Sequence, residues 1–158
     1  MIRIDIPGRE ELGIDHLVLD FNGTIAADGR LVGGVAERIA LLSDLVDVIV
    51  LTADTYGSAA AACEGLPLRL LTFPSDSAGL SKEEIVRSLG GGVCCVGNGY
   101  NDYNDIGMFD LAALRIAVVG EEGVCAALLG HADVLVPGPC EALDLLLRPS
   151  RLRATLRA

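Results

Sequence analysis

Short apolar runs alternate with single amphipathic stretches along almost the whole chain, and this constrains the fold more than any other feature. His16–Phe21, Val46–Leu51, Leu68–Thr72, Val93–Val96, Arg115–Val119 and Val134–Val136 read as strands. Between them, Val35–Leu45, Tyr56–Glu64, Ser81–Leu89, Asn101–Ala113, Glu122–Leu129 and finally Cys140–Leu147 read as helices. Asp54 or Thr55 is placed to cap the second helix. Ser81 has Glu84 at capping-box spacing for the third, which Gly90-Gly91-Gly92 would stop. Strands apolar on both faces and separated by one helix each imply right-handed crossovers. The expected fold class is therefore α/β: a three-layer, doubly wound, mostly parallel, Rossmann-like sheet. Asp28-Gly29 marks a hairpin turn after the first strand. At 158 residues the chain fits a single domain, taken as residues 1–147. The Arg-rich segment Arg148–Ala158 follows as a solvated tail or as a docking segment for an acidic partner or neighbouring subunit.

Composition removes several function classes. The formal net charge is −10, the opposite of a nucleic-acid-binding footprint, and aromatics are only 4% with no Trp. No nucleic-acid partner is expected. No apolar run reaches membrane-spanning length, and Met1–Glu11 has no apolar signal-peptide core, so no membrane association and a cytoplasmic location are expected. The five cysteines (Cys63, Cys94, Cys95, Cys125, Cys140) lack CxxC spacing and read as reduced core thiols. There is no Walker loop, no GxGxxG and no GxSxG, and His16 and His131 are the only histidines.

In a doubly wound sheet, ligands bind beyond the carboxyl ends of the strands. The residues found there are Asp20-Phe21-Asn22-Gly23-Thr24, Thr52-Ala53-Asp54 and Gly97-Asn98-Gly99-Tyr100-Asn101-Asp102. Asp20, at the end of an apolar strand, is either a turn former or a carboxylate aimed at an electrophile. Gly23 lets the backbone turn and direct amides at an anion. Lys82 is the only lysine in a chain with 11 arginines, and it sits near the start of a helix, where the dipole disfavours a cation. It is either a solvated helix residue or a point charge on a phosphoryl group. Asp102 and Asp105, three apart, would share a helix face. They either complement the helix dipole or, with Asp20 and water, build a hard-oxygen Mg²⁺ site.

These four segments resemble, in order and spacing, the four motifs of the haloacid dehalogenase (HAD) superfamily. The likeness is strongest to the small soluble proteins called P-type-ATPase-like, and it spans about Asp15 to Leu147. The resemblance implies that Asp20 takes a phosphoryl group and that Phe21, Asn22, Thr52, Ala53 and Lys82 surround it. It implies that Asp20, the backbone carbonyl of Asn22, Asn98 and Asp102 hold Mg²⁺. It also implies that the Asp28-Gly29 hairpin is the flap beside the site. Asp54 aligns with the acidic residue of the pumps' Thr-Gly-Asp motif, and it serves equally as a helix cap.

Two positions depart from the pattern. Asn22 stands where HAD phosphatases carry the general acid/base Asp, which should slow attack on poor leaving groups and slow dephosphorylation. Asn98 stands where a metal-binding Asp is usual, which should weaken Mg²⁺. Asp20 to Thr52 and Thr52 to Lys82 each span about thirty residues, which the core elements fill, so no cap domain is expected. An open site needs a covering substrate or a neighbouring subunit, which makes a homo-oligomer one expectation. The resulting reading is an Mg²⁺-dependent phosphohydrolase or phosphotransferase acting on a phosphorylated small molecule or macromolecule. The alternative is a non-catalytic, phosphate- or metal-binding regulatory module.

Overall fold

The structure is a computed structural model that describes residues 1–54, 57–74, 78–99 and 105–158, with residues 78–80 described as backbone only. Six parallel strands form the central sheet: β3 (His16–Asp20), β6 (Asp47–Thr52), β7 (Arg69–Thr72), β8 (Val93–Gly97), β9 (Leu114–Val118) and β10 (Val134–Val136). Their order is β10-β9-β8-β3-β6-β7. The chain runs outward from β3 through β6 to β7, then returns to the other side of β3 and runs outward through β8, β9 and β10. The direction of winding therefore reverses beside β3, which pairs with β6 on one flank and β8 on the other.

Alternate residues of the inner strands enter two separate cores, so these strands are apolar on both faces, while Leu135 of the edge strand β10 is exposed. Leu17, Leu19, Val48, Val50, Cys94 and Val96 face one layer of helices, and Val18, Ile49, Leu51 and Cys95 face the other. The first layer holds α1 (Val35–Ser43), α2 (Ala59–Ala62), α5 (Pro139–Leu147) and α6 (Pro149–Leu156). The second holds α3 (Ala78–Ser88), α4 (Ile106–Leu111) and a 3₁₀ helix, Ala126–His131. Together these make the expected three-layer α/β architecture. Hairpin β4 (Ala26–Ala27) and β5 (Arg30–Leu31) follows β3, and its turn places both Asp28 and Gly29 at positive φ. The core elements fill the stretches between β3 and α3, and no cap domain is inserted among the described residues. No helix among the described residues is long and apolar enough to cross a membrane.

Several elements differ from the sequence-based expectations. Helix α3 begins at Ala78, so Ser81 lies inside it and is not its cap. Glu122–Leu129 is not an α-helix: the regular turn there is the later 3₁₀ segment. An N-terminal hairpin, β1 (Ile2–Ile4) with β2 (Leu12–Ile14), precedes the sheet. The segment expected as a solvated tail is helix α6, which buries Leu152 and Leu156 while Arg151, Arg153 and Arg157 stay exposed. Cys63, Cys94 and Cys95 are buried free thiols; Cys125 and Cys140 are free and half-buried.

Candidate active site

The winding reversal leaves a crevice past the carboxyl ends of β3, β6 and β8, and the chain places its buried polar side chains there. Asp20, Asn22, Thr24, Thr52, Lys82, Asn98 and Asp105 are all at most 5% exposed. Unpartnered, such groups would cost several kcal/mol each, so their bonds define the site.

Lys82 reaches in from α3. Its Nζ donates to Asp20 Oδ1 at 2.7 Å and to Asp105 Oδ1 at 2.7 Å. Burial pulls the ammonium pKa down, but Asp105 and Asp20 outweigh that and hold it protonated. For Asp20, burial is the largest influence and the Asp105 charge adds to it. Against the opposing pull of Lys82 and Thr24, its pKa is pushed up to about 7. Two carboxylates thus share one ammonium, which leaves an excess of negative charge among buried side chains.

The loop after β3 wraps around the Asp20 carboxylate. Thr24 Oγ1 donates to Asp20 Oδ2 at 3.0 Å and approaches Asn98 Oδ1 at 3.4 Å. The Phe21 carbonyl accepts the amides of Thr24 and Ala26, which closes the turn, while the Phe21 ring packs in the core. Gly23 has φ +76°, and a Cβ there would run into the Asn98 amide, so only glycine permits this approach. Asn22 Nδ2 donates to Thr52 Oγ1 at 3.4 Å, and Asn22 Oδ1 is buried without a hydrogen-bond partner. Thr52 Oγ1 also accepts the Asp54 amide at 2.9 Å. Ala53 is half-buried at the end of β6. Asp54, at φ +52°, accepts the amide of Ala59, the first residue of α2, whose N-cap position is Ser58.

The loop after β8 closes the other wall. Asn98 Nδ2 donates to the Gly123 carbonyl, and the Cys125 amide donates to the Asn98 carbonyl at 2.7 Å. Asp105 Oδ2 accepts the Gly99 amide at 2.9 Å. A Cβ at Gly97 would strike the Asp105 carboxylate, so this contact requires glycine. Asp105 is therefore bound to Lys82 and to the β8 loop; the helix face it was expected to share with Asp102 involves a residue outside the described ones. Asp102, with Tyr100 and Asn101, lies outside the described residues. The hairpin's turn is tied to both sides: the Asp28 amide donates to Glu122 Oε2, and Ser58 Oγ donates to the Gly29 carbonyl.

The Asp20–Lys82–Asp105 cluster, with Thr52 and Asn98 closing on it from the neighbouring strands, joins all four expected segments at one point. No protein-family model matches the chain. A protein of Streptomyces avermitilis MA-4680, assigned to the HAD family of hydrolases, superposes with a TM-score of 0.65 at 28% identity over 87% of each chain. The chain belongs to the HAD superfamily. The 3-deoxy-D-manno-octulosonate 8-phosphate phosphatase of Moraxella catarrhalis has the same fold: TM-score 0.67, 14% identity, 91% of this chain and 94% of that one. That enzyme's structure holds magnesium, phosphate and its sugar acid. A zinc-transporting PIB-type ATPase is 25% identical, with a TM-score of 0.58 over 79% of this chain and 20% of that one. Two uncharacterized proteins of Methanocaldococcus jannaschii are similar in sequence. One is 46% identical over 39 residues, 25% of this chain and 89% of the relative. The other is 38% identical over 65 residues, 41% and 67% respectively.

The oxygen donors of this HAD site suit a hard cation. The Asp20 carboxylate and the Asn98 amide oxygen both lie on it, and the cluster's excess negative charge favours a divalent ion.

Proposed function

We propose that this HAD member is an Mg²⁺-dependent phosphohydrolase or phosphotransferase working through a phosphoryl-aspartate on Asp20. The Asp20–Lys82–Asp105 cluster carries the reading: a buried carboxylate at the strand end, held in place by the chain's only lysine. One Asp20 oxygen attacks phosphorus, the bond from phosphorus to the leaving group breaks, and that group departs with the electron pair. Lys82 and the Thr52 hydroxyl neutralise and orient the phosphoryl oxygens, and the backbone after Asp20, at Phe21 and Asn22, supplies amides. The backbone at Ala53 adds to the same cradle. Asp20, the Asn22 carbonyl, Asn98 and Asp102 would hold Mg²⁺, which supplies charge neutralisation on the transferring group. Water then attacks the phosphoryl-aspartate, which releases orthophosphate and restores Asp20.

Asn22 neither gives nor takes a proton. The first step therefore favours leaving groups that depart unprotonated, such as acyl or aryl oxyanions, and the second step is slow. Proton transfer by a positioned acid is worth about 10²–10⁴ in rate. The site lacks a cap, so a large substrate or a second copy of the chain would cover its open side.

The test is intact-protein mass after incubation with acetyl phosphate and Mg²⁺, for wild type and Asp20→Asn. A single phosphoryl adduct on wild type alone, persisting after the donor is removed, is expected. Neither adduct nor released orthophosphate would overturn the reading in favour of a non-catalytic phosphate- or metal-binding module.

A further inference from the structure

A cavity of about 420 Å³, large enough for a small organic group, abuts the loop that follows the proposed nucleophile. Its inner wall is the loop after β3, at Gly23 and Thr24, and Thr24 is the residue whose hydroxyl bonds Asp20 Oδ2. The cavity lies at the carboxyl end of the sheet, between the flap and the loops that follow β9 and β10.

The lining combines apolar walls with two carboxylates. Ala26, Ala27 and Val32 face it from the flap side, and Pro137 and Pro139 from the side of α5. These small or rigid apolar walls leave the space open and give it an apolar floor. Two carboxylates, Glu121 and Glu141, complete the lining, and both residues are exposed. None of the lining residues is basic. Lys82 is committed to Asp20 and Asp105, and Arg38, on α1, is forked onto Asp144.

We infer that this cavity receives the organic body of the phosphoryl donor, and that it accepts an uncharged or amine-bearing body and rejects an anionic one. The inference rests on the phosphoryl-transfer reading, since it assigns the leaving group of that reaction. An apolar body is desolvated against the alanines, valine and prolines. An ammonium at its far end meets Glu121 and Glu141, whereas a carboxylate there meets like charge, with no cation in the lining to offset it, in a chain whose net charge is already −10.

Three phenyl phosphates test this, with aminomethyl, methyl or carboxylate at the para position and acetyl phosphate as a donor too small to fill the cavity. In wild type, kcat/KM is expected to be about tenfold higher for the aminomethyl ester than for the carboxylate ester, with the methyl ester between. Glu121→Lys with Glu141→Lys should compress or invert that ratio by about tenfold. Ala27→Phe should lower all three aryl esters about tenfold relative to acetyl phosphate. Equal kcat/KM for the three esters, a ratio that charge reversal does not move, or equal losses for aryl esters and acetyl phosphate in Ala27→Phe would each overturn the inference.

Failure of the underlying reading looks different: wild type then neither labels nor turns over with any donor. Calorimetry with the dephosphorylated compounds 4-(aminomethyl)phenol and 4-hydroxybenzoate decides the cavity in that event. Tighter binding of the amine that weakens in Ala27→Phe supports the inference. Equal binding, no binding, or binding that Ala27→Phe leaves intact overturns it.

Discussion

Lys82 and the two carboxylates it joins hold more negative than positive charge among buried side chains, and this imbalance adds to the effect of burial on Asp20. With its pKa raised to about 7, mainly by burial, Asp20 keeps a proton in the folded state that the unfolded chain releases near pH 4. Between those values the native state binds more protons, so stability falls as pH rises through that window and the loss is complete above it. Asp20→Asn removes the effect and leaves Lys82 paired with Asp105. In EDTA, urea unfolding should show Asp20→Asn more stable than wild type above pH 7, by roughly 2–4 kcal/mol, with the gap closing toward pH 4. A gap that does not change with pH would count against the raised Asp20 pKa. Lys82 itself was legible in the sequence, because a chain that otherwise uses arginine keeps a single compact ammonium near a helix start. The partners of Asp105 were not legible: helical spacing from Asp102 offered a carboxylate that complements the dipole or faces a metal, and the structure shows it held by the Lys82 ion pair and the Gly99 amide. Lys82 lies 23 residues away and Gly99 six, and no helical period encodes either contact. The orphaned oxygen of Asn22 was equally invisible, although the substitution itself was plain.

Among the elements, β3, β6 and β8 were legible because both faces of each are buried, which makes each a short apolar run. The helix ends were less so. Ser81 and Glu84 have the spacing of a cap, yet α3 starts three residues earlier, and the same pair fits an interior turn equally well. The C-terminal segment misled for another reason. Its mean composition is basic, but Leu152 and Leu156 stand four apart, one helical turn, and both enter the core. Proline at the start of α6 permits a sharp turn out of α5, which lays the new helix across β1. The packing makes Leu152→Ala a costly change, about 2–5 kcal/mol by urea denaturation, while Arg151→Ala should stay within about 0.5 kcal/mol. Equal, small effects at both positions would mean that α6 adds nothing to the fold.

At the scale of the whole molecule, a net charge of −10 opposes the phosphoryl ligands that the site is proposed to bind. A dianion entering the metal-free crevice meets Asp20 and Asp105 beside Lys82, so on the proposed reading the cation binds first. Mg²⁺ binding to the folded state alone raises stability by mass action, and a ligand that binds only beside Mg²⁺ must in turn tighten the metal by the same factor. Thermal unfolding should therefore show no shift with millimolar orthophosphate in EDTA and an upward shift with Mg²⁺. With both present, the shift should exceed the sum of the two. Lys82→Met should abolish the phosphate-dependent part while leaving a response to Mg²⁺, because it removes the cation proposed to meet phosphate and none of the proposed metal-binding oxygens. A shift by orthophosphate in the absence of metal would place its binding on other cationic groups. The four-segment site would then lose its claim to the phosphoryl ligand even though the fold around it stands.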